Sequence, residues 1–371
     1  MNEIADVRLI AFYLPQFHRS KENDEWWGEG FTEWTHVRNA KPLYAGHQQP
    51  RVPGELGYYD LMNPAVTEAQ AALARDHEIH GFCYWHYWFS GRRLLNKPFD
   101  QLLSLNTLEI PFCLAWANHS WTRKWSGHHN KILLSQTYSG LDDYKAHFEQ
   151  VLPAFHDDRY IRINGKPLFL VFMPQSIPIP EDFTDLWNAL AIESGLKGIH
   201  FVGFAHESWI PNLHGFEASI EHLPGSVLRH VTSVDSARIT WSDELNCRQL
   251  PSIYLYEDIV QNIKFDIETP WIRYPCVLSN WDNTPRCSTN GFIFHDTSPE
   301  LFAQHLSRAL ESITKNRPEN RLVFIKSWNE WGEGNYIEPD SRFGRDYLQA
   351  IRDTVNEWRC IQSTFDDQSK C

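Results

Sequence analysis

Eight short, β-rich apolar runs recur along this chain, at residues 9–13, 81–85, 112–117, 168–172, 200–205, 218–220, 275–279 and 322–326. Helix-like stretches lie between several of them, at 64–80, 142–155, 181–194 and 299–315. Residues 184–194 are apolar at helical spacing, and Gly195 follows as a helix stop. Eight strands alternating with helices predict an α/β fold, a (β/α)8 barrel of the TIM type. An open nucleotide-binding sheet is disfavoured, because no G-x-G-x-x-G opens a helix after the first run. Two long segments interrupt the alternation, 15–63 after the first strand and 223–268 after the sixth. Loops of that length in a compact domain are usually functional or disordered, and these are too aromatic for disorder. The second is irregular, with room for short strands of its own. No repeat, low-complexity tract or linker divides the chain, so residues 1–371 are expected to form one domain.

The aromatic content sharpens the expectation. The chain carries 16 Trp, 14 Tyr and 22 Phe. Trp is costly to bury unless its indole N–H finds a partner, so half-exposed platforms are expected alongside an aromatic core. Such platforms suit the flat C–H faces of sugar rings. The net charge of −13 comes with no basic stripe, which excludes a nucleic-acid partner that needs clustered Lys and Arg. No stretch reaches the roughly 18–20 apolar residues that cross a membrane. The N-terminus is polar and acidic, with no apolar signal segment. The seven cysteines are scattered without a C-x-x-C pair, unlike a disulfide scaffold. The expected setting is cytoplasmic. Nothing in the sequence sets an oligomeric state.

In a barrel of this type the active site forms where the strands end. The residues there are consistent in kind. Tyr13 closes the first run, and Gln16 and His18 follow it. Trp85, His86, Tyr87 and Trp88 end the second, and Trp116 and Asn118 the third. Trp281 and Asp282 follow the seventh. Trp328, Asn329, Glu330 and Glu333 follow the eighth. Aromatic platforms, amides and carboxylates thus converge on one end.

Glycosidic bond cleavage needs one carboxyl group to protonate the leaving oxygen and another to assist at the sugar carbon. Glu330 and Glu333 lie three apart at a strand end, and Gly332 and Gly334 permit a sharp turn that brings both to one cavity. Close like charges push the two pKa values apart, leaving one acid and one base near neutral pH. The alternative is a surface loop with solvated glutamates.

The segment Trp328-Asn329-Glu330-Trp331-Gly332-Glu333-Gly334, continuing through Ile337-Glu338-Pro339, resembles a motif of glycoside hydrolase family 99 and its relatives. Further stretches resemble the WbsX-type branch of that group: Phe12 to His18, Asn23 to Gly28 with Phe31 to Trp34, Gly46 to Pro50, Trp88 to Leu95, Trp116 to Asn118, and Trp281 to Arg286. The resemblance implies a (β/α)8 barrel acting on glycans. Characterised family 99 enzymes are retaining endo-α-mannosidases. In them the first Glu assists attack by the sugar's own 2-hydroxyl, forming a 1,2-anhydro sugar, and the second protonates the leaving group. Carried over, Glu330 is the base and Glu333 the acid. The WbsX-type branch is described as glycosyltransferases of lipopolysaccharide and surface-polysaccharide assembly. The chain departs from the branch pattern at His119 and Ser120, where relatives carry an acidic or amide residue after Trp-Ala-Asn.

Several secondary candidates have two readings each. Arg92 and Arg93 suit an acidic sugar or diphosphate, or salt bridges within their loop. Trp121 and Trp125 with Arg123 can wall a subsite or stack on one another. Asn118, Asp282 and Asn329 can read sugar hydroxyls or satisfy backbone groups. Arg286 falls in the resembling segment as a substrate contact. Glu33 and Trp34 reach the site if the first long loop folds over the barrel mouth. His86 and His206 either contact substrate or are core histidines, and His128 and His129 are expected in a solvated loop. His77-Glu78-Ile79-His80 has the wrong spacing for H-E-x-x-H, so no metal is expected, and no cofactor. The leading expectation is a hydrolase or transglycosylase acting on an α-mannoside-like glycan. A surface-polysaccharide glycosyltransferase and a non-catalytic glycan-binding protein are the alternatives.

Overall fold

The computed structural model describes residues 7–105, 108–122, 132–205, 209–233 and 251–368. Its central sheet is built of nine parallel segments. These are β1 (Arg8–Tyr13), β2 (Ile79–Phe89), β3 (Phe112–Trp116), β4 (Lys166–Val171), β5 (His200–Ala205), β6 (Ala218–Glu221), β7 (Ile272–Tyr274), β8 (Cys276–Leu278) and β9 (Leu322–Lys326). Hydrogen bonding follows the order β7-β6-β5-β4-β3-β2-β1-β9-β8. β7 and β8 are consecutive in the chain, so the ring of ladders is interrupted only at Pro275. Proline has no N–H to donate to a ladder. Its carbonyl still accepts from Phe324 N at 2.9 Å. The architecture is the expected TIM-type barrel, with the seventh strand split in two.

All eight apolar runs became strands; only 200–205 and 322–326 keep their expected bounds, and the second and seventh differ most. β2 begins at Ile79 and runs to Phe89, so the expected helix 64–80 stops earlier, as α3. The helices are α1 (Lys21–Trp27), α2 (Glu33–Asn39), α3 (Pro64–Asp76), α4 (Lys97–Ser104), α5 (Leu141–His156), α6 (Pro180–Glu193), α7 (Tyr256–Asn262), α8 (Thr284–Cys287), α9 (Pro299–Ile313) and α10 (Asp346–Gln368). Gly195 adopts φ 84 beyond α6, as its position predicted. The stretch 223–268 does carry a strand, Ser252–Leu255, which pairs in parallel with Phe292–His295.

The barrel interior is filled from several strands at once. Phe12 of β1 lies 5.1 Å from the Trp85 ring of β2 and 5.5 Å from Phe204 of β5 and Phe324 of β9. Such layering makes the barrel a packed core rather than a pore. The first long segment is folded, with α1 and α2 brought over the strand ends. Among the described residues no helix is long and apolar enough to cross a membrane.

Candidate active site

Past β9 the chain folds back on itself. Asn329–Glu330 pairs antiparallel with Asn335–Tyr336, joined by a single 3-10 turn, Trp331–Glu333. Gly334 closes that turn at φ 57, a left-handed conformation that suits glycine, and a Cβ there would meet the Asp282 backbone at 2.9 Å. Gly332 is required for a different reason. A Cβ there would lie 2.5 Å from Glu33 Oε2 and 2.7 Å from Arg286 Nε, because an ion pair passes directly over it.

That ion pair is the centre of the site. α8 follows β8 and carries Arg286, while α2 delivers Glu33. Arg286 Nη2 lies 2.9 Å from Glu33 Oε2 and 2.5 Å from Glu330 Oε1, and Nη1 lies 2.9 Å from Glu333 Oε1. The guanidinium therefore holds three carboxylates at once. Glu33 and Arg286 are buried, as is Glu330, whereas the Glu333 side chain remains 22% exposed. Burial, with Glu333 and Glu33 adding to it, pushes Glu330 up to about 8 against the opposing pull of Arg286. Burial works to lower Arg286, but the three carboxylates outweigh it and hold the guanidinium charged.

The four groups face a cavity of about 370 Å³ at the barrel mouth. Of the residues expected to contact sugar, Gln16, Glu33, Trp85, Tyr87, Trp121 and Arg286 line it together with both catalytic candidates. Gln16 Nε2 donates to the Tyr87 hydroxyl at 3.3 Å. Among the lining residues not singled out from sequence as candidate contacts are Asn23 and Trp27 of α1, Phe172, and Lys326, whose Nζ donates to Leu223 O at 2.8 Å. His119 and Ser120, where the chain departs from the branch pattern, also line it. Burial lowers the His119 imidazole to about 4, so it is neutral at pH 7, and its ring lies 5.3 Å from Phe172.

The remaining expected contacts lie away from the cavity. Tyr13 points outward and donates to Gln70 Oε1 at 2.7 Å. Trp88 stacks on His147 at 4.9 Å, and Trp116 is buried with its Nε1 donating to Trp88 O. Trp34 Nε1 donates to Tyr59 O, and Trp328 packs on Phe82 in the core. His18 is buried, and Trp281 stacks on Phe292 at 5.5 Å. Arg92 is exposed and pairs with Glu22, while Arg93 pairs with Asp100. Asn118 bonds both the N–H and the carbonyl of Met173, and Asn329 does the same for Leu14, so both tie backbone. Asp282 accepts from His47 Nε2 at 2.8 Å, Gln49 Nε2 at 2.7 Å and Thr284 Oγ1 at 2.6 Å. His86 is 2.8 Å from His147 in the core. Arg123, Trp125, His128, His129 and His206 lie outside the described residues. Among the described residues no group of three or more His, Cys, Asp or Glu is arranged to hold a metal ion.

The model of the family described as glycosyltransferase WbsX matches residues 9–351. The chain belongs to the WbsX family. A protein designated WxcX, from Xanthomonas campestris pv. campestris, is 36% identical over 373 residues, covering 100% of this chain and 52% of that protein. Its counterpart from strain B100 is 35% identical with the same coverage. The chain thus spans about half the length of the curated relatives it matches. Among solved structures, a glycoside hydrolase-like protein superposes with a TM-score of 0.59 at 13% identity, over 94% of each chain. The family 99 endo-α-mannosidase from Bacteroides thetaiotaomicron superposes at 0.56 with 17% identity, over 96% of this chain and 98% of that one. These likenesses establish a shared fold. This WbsX-family chain thus shares its barrel fold with solved glycoside hydrolase-type structures.

Proposed function

We propose that this chain cleaves, or transfers through, the glycosidic bond of an α-mannoside-like glycan with retention of configuration. The observation that carries this reading is the pair Glu330 and Glu333, held on two nitrogens of one guanidinium at the floor of an aromatic-walled cavity. Glu330 in its ionised form takes the proton of the sugar 2-hydroxyl. O2 attacks C1 as the C1–O bond to the leaving group breaks, and Glu333 gives its proton to that oxygen. A 1,2-anhydro sugar results. Attack in line requires O2 anti to the leaving group, which is the trans-diaxial arrangement of an α-mannoside. In the second half, water or an acceptor hydroxyl attacks C1 and yields its proton to Glu333, while O2 recovers its proton from Glu330. The high pKa of Glu330 favours the first proton transfer, because a stronger base suits a weakly acidic hydroxyl. Water as acceptor makes the chain a hydrolase, and a sugar hydroxyl makes it a transglycosylase.

A second reading, transfer from a nucleotide sugar during polysaccharide assembly, is supported by the family description. One experiment separates the two. Wild type and Glu333→Gln are incubated with a panel of α-mannosides and related α-glycans, with and without nucleotide-sugar donors, and products are read by mass spectrometry. Donor-independent cleavage by wild type, lost in Glu333→Gln, supports the hydrolytic reading. Extension products that appear only with a nucleotide sugar overturn it.

A further inference from the structure

We infer that α1 is a glycosyl-binding subsite, with Asn23 donating to a sugar hydroxyl and Trp27 stacking on the ring of the same unit. The inference rests on the glycan reading above and deepens it. α1 is seven residues long, and positions four apart share a helical face. Glu22 and Trp26 occupy one such face. Glu22 pairs with Arg92, and the Trp26 ring lies edge-on to Trp121 at 5.5 Å. These contacts pin α1 against the extended end of β2. The adjoining face, Asn23 and Trp27, is thereby turned to the cavity, which both residues line.

Asn23 is 2% exposed, and its Nδ2 has no hydrogen-bond partner among the described residues. A buried amide donor left unmade costs about 1–3 kcal/mol. A cavity-lining group of this kind gains a partner when a hydroxyl arrives. Trp27 is only partly buried, lies 5.7 Å from Phe31 in a stacked arrangement, and sits one helical turn from Asn23. An indole face beside an amide donor matches a pyranose, whose C–H face stacks while an equatorial or axial hydroxyl accepts. Neither an amide nor an indole is titratable near neutral pH, so the two residues select and position the sugar rather than transfer protons.

Binding of methyl α-hexopyranosides and their single-deoxy analogues is measured by calorimetry on the full chain, for wild type, Asn23→Leu and Trp27→Leu. Melting curves check that each variant is folded. Wild type is expected to lose about 10-fold or more in affinity for one deoxy position. Asn23→Leu is expected to bind that analogue and its parent equally, which a merely structural asparagine would not produce. Trp27→Leu is expected to weaken all glycosides alike while keeping the deoxy discrimination. If wild type binds glycosides and Asn23→Leu keeps the full deoxy discrimination, the subsite is overturned and the glycan reading stands. If wild type binds no glycoside, both fall together.

Discussion

Arg286 places its Nη2 2.5 Å from Oε1 of Glu330, across 44 residues of sequence. The same side chain meets Glu33 and Glu333, so one positive charge faces three buried or half-buried carboxylates. Such a cluster cannot be fully ionised cheaply, because buried charge needs a partner. A proton therefore settles on the acid with the most desolvated site, Glu330. The arrangement fixes both catalytic candidates in space and sets their protonation together.

The first consequence is a pH profile. Turnover needs Glu330 ionised and Glu333 protonated together, so kcat/KM is expected to pass through a maximum, with Glu330, pushed up to about 8, setting its alkaline limb. Rates on an α-mannoside at pH 5 to 9 check this. A rate that rises and then stays level to pH 9 would mean that no group must keep its proton, and would overturn the paired acid and base roles.

The same shift makes a stability prediction. Glu330 keeps its proton in the folded state up to about 8, against an ordinary value of 4.5, so folding binds a proton between those limits. Stability contributed by this site is therefore highest below pH 4.5 and declines as pH rises to 8. Glu338, pushed up to about 7 by burial, adds in the same direction. Glu330→Gln is expected to match wild type near pH 4 and to exceed it by ~1–3 kcal/mol above pH 8. Urea unfolding at both pH values tests this, and an equal offset at both would exclude the linkage.

Arg286→Lys should fail despite keeping the charge. An ammonium is a point charge without the planar fork that spans three carboxylates. The expected loss in kcat is about 10²–10³-fold, with Arg286→Met worse and destabilised by ~3–5 kcal/mol. Near-wild-type turnover in Arg286→Lys would show that the bridging geometry is unimportant.

Gly332→Ala separates packing from backbone strain. The added Cβ must displace Glu33 or Arg286, whereas Gly334→Ala must also bear a left-handed backbone. Gly332→Ala is therefore expected to lower kcat about tenfold or more with a small change in melting temperature, and Gly334→Ala to lower both. A Gly332→Ala enzyme with unchanged kcat would mean the cluster tolerates displacement.

The strands were legible because parallel barrel strands are buried on both faces and read as unbroken apolar runs. Glu330 and Glu333 were legible because they follow the last of those runs with glycines beside them. The sorting of tryptophans was not, and β2 shows why. Taken to end at residue 85, it left His86, Tyr87 and Trp88 beyond the strand, with nothing to tell one side from the other. The strand runs on to Phe89, so side chains keep alternating. Trp85 and Tyr87 line the cavity, while His86 and Trp88 meet His147 behind the sheet. Phe12 and Tyr13 divide in the same way. α10 also went unread, although Tyr347, Leu348, Ile351, Val355 and Trp358 carry a helical apolar spacing that the structure buries. Asn23 stood in a stretch that resembles the WbsX branch, but nothing in the sequence gave it a role, since its importance lies in a partner it lacks.

Glu338 is the strongest test of what supports the catalytic hairpin. Its Oε2 accepts from Trp331 Nε1 at 2.7 Å and the Tyr59 hydroxyl at 2.9 Å, and its Oε1 accepts from Gln70 Nε2 at 2.6 Å. One buried carboxylate thus ties the residue beside Glu330 to the first long loop and to α3. Burial raises its pKa to about 7, and these hydrogen bonds to the ionised form oppose the rise. Replacing Glu338 with Leu strands three buried donors, each costing about 1–3 kcal/mol, so a loss of at least ~3 kcal/mol is expected. Glu338→Gln keeps one oxygen acceptor but turns an amide donor toward existing donors, and about 1 kcal/mol is expected. Because Trp331 adjoins Glu330, kcat should fall in both variants while glycoside affinity, set by the cavity walls, changes less. Urea unfolding and kinetics on the pair decide it. A Glu338→Leu protein as stable as wild type would mean that these donors find other acceptors, and that the hairpin is held by packing alone.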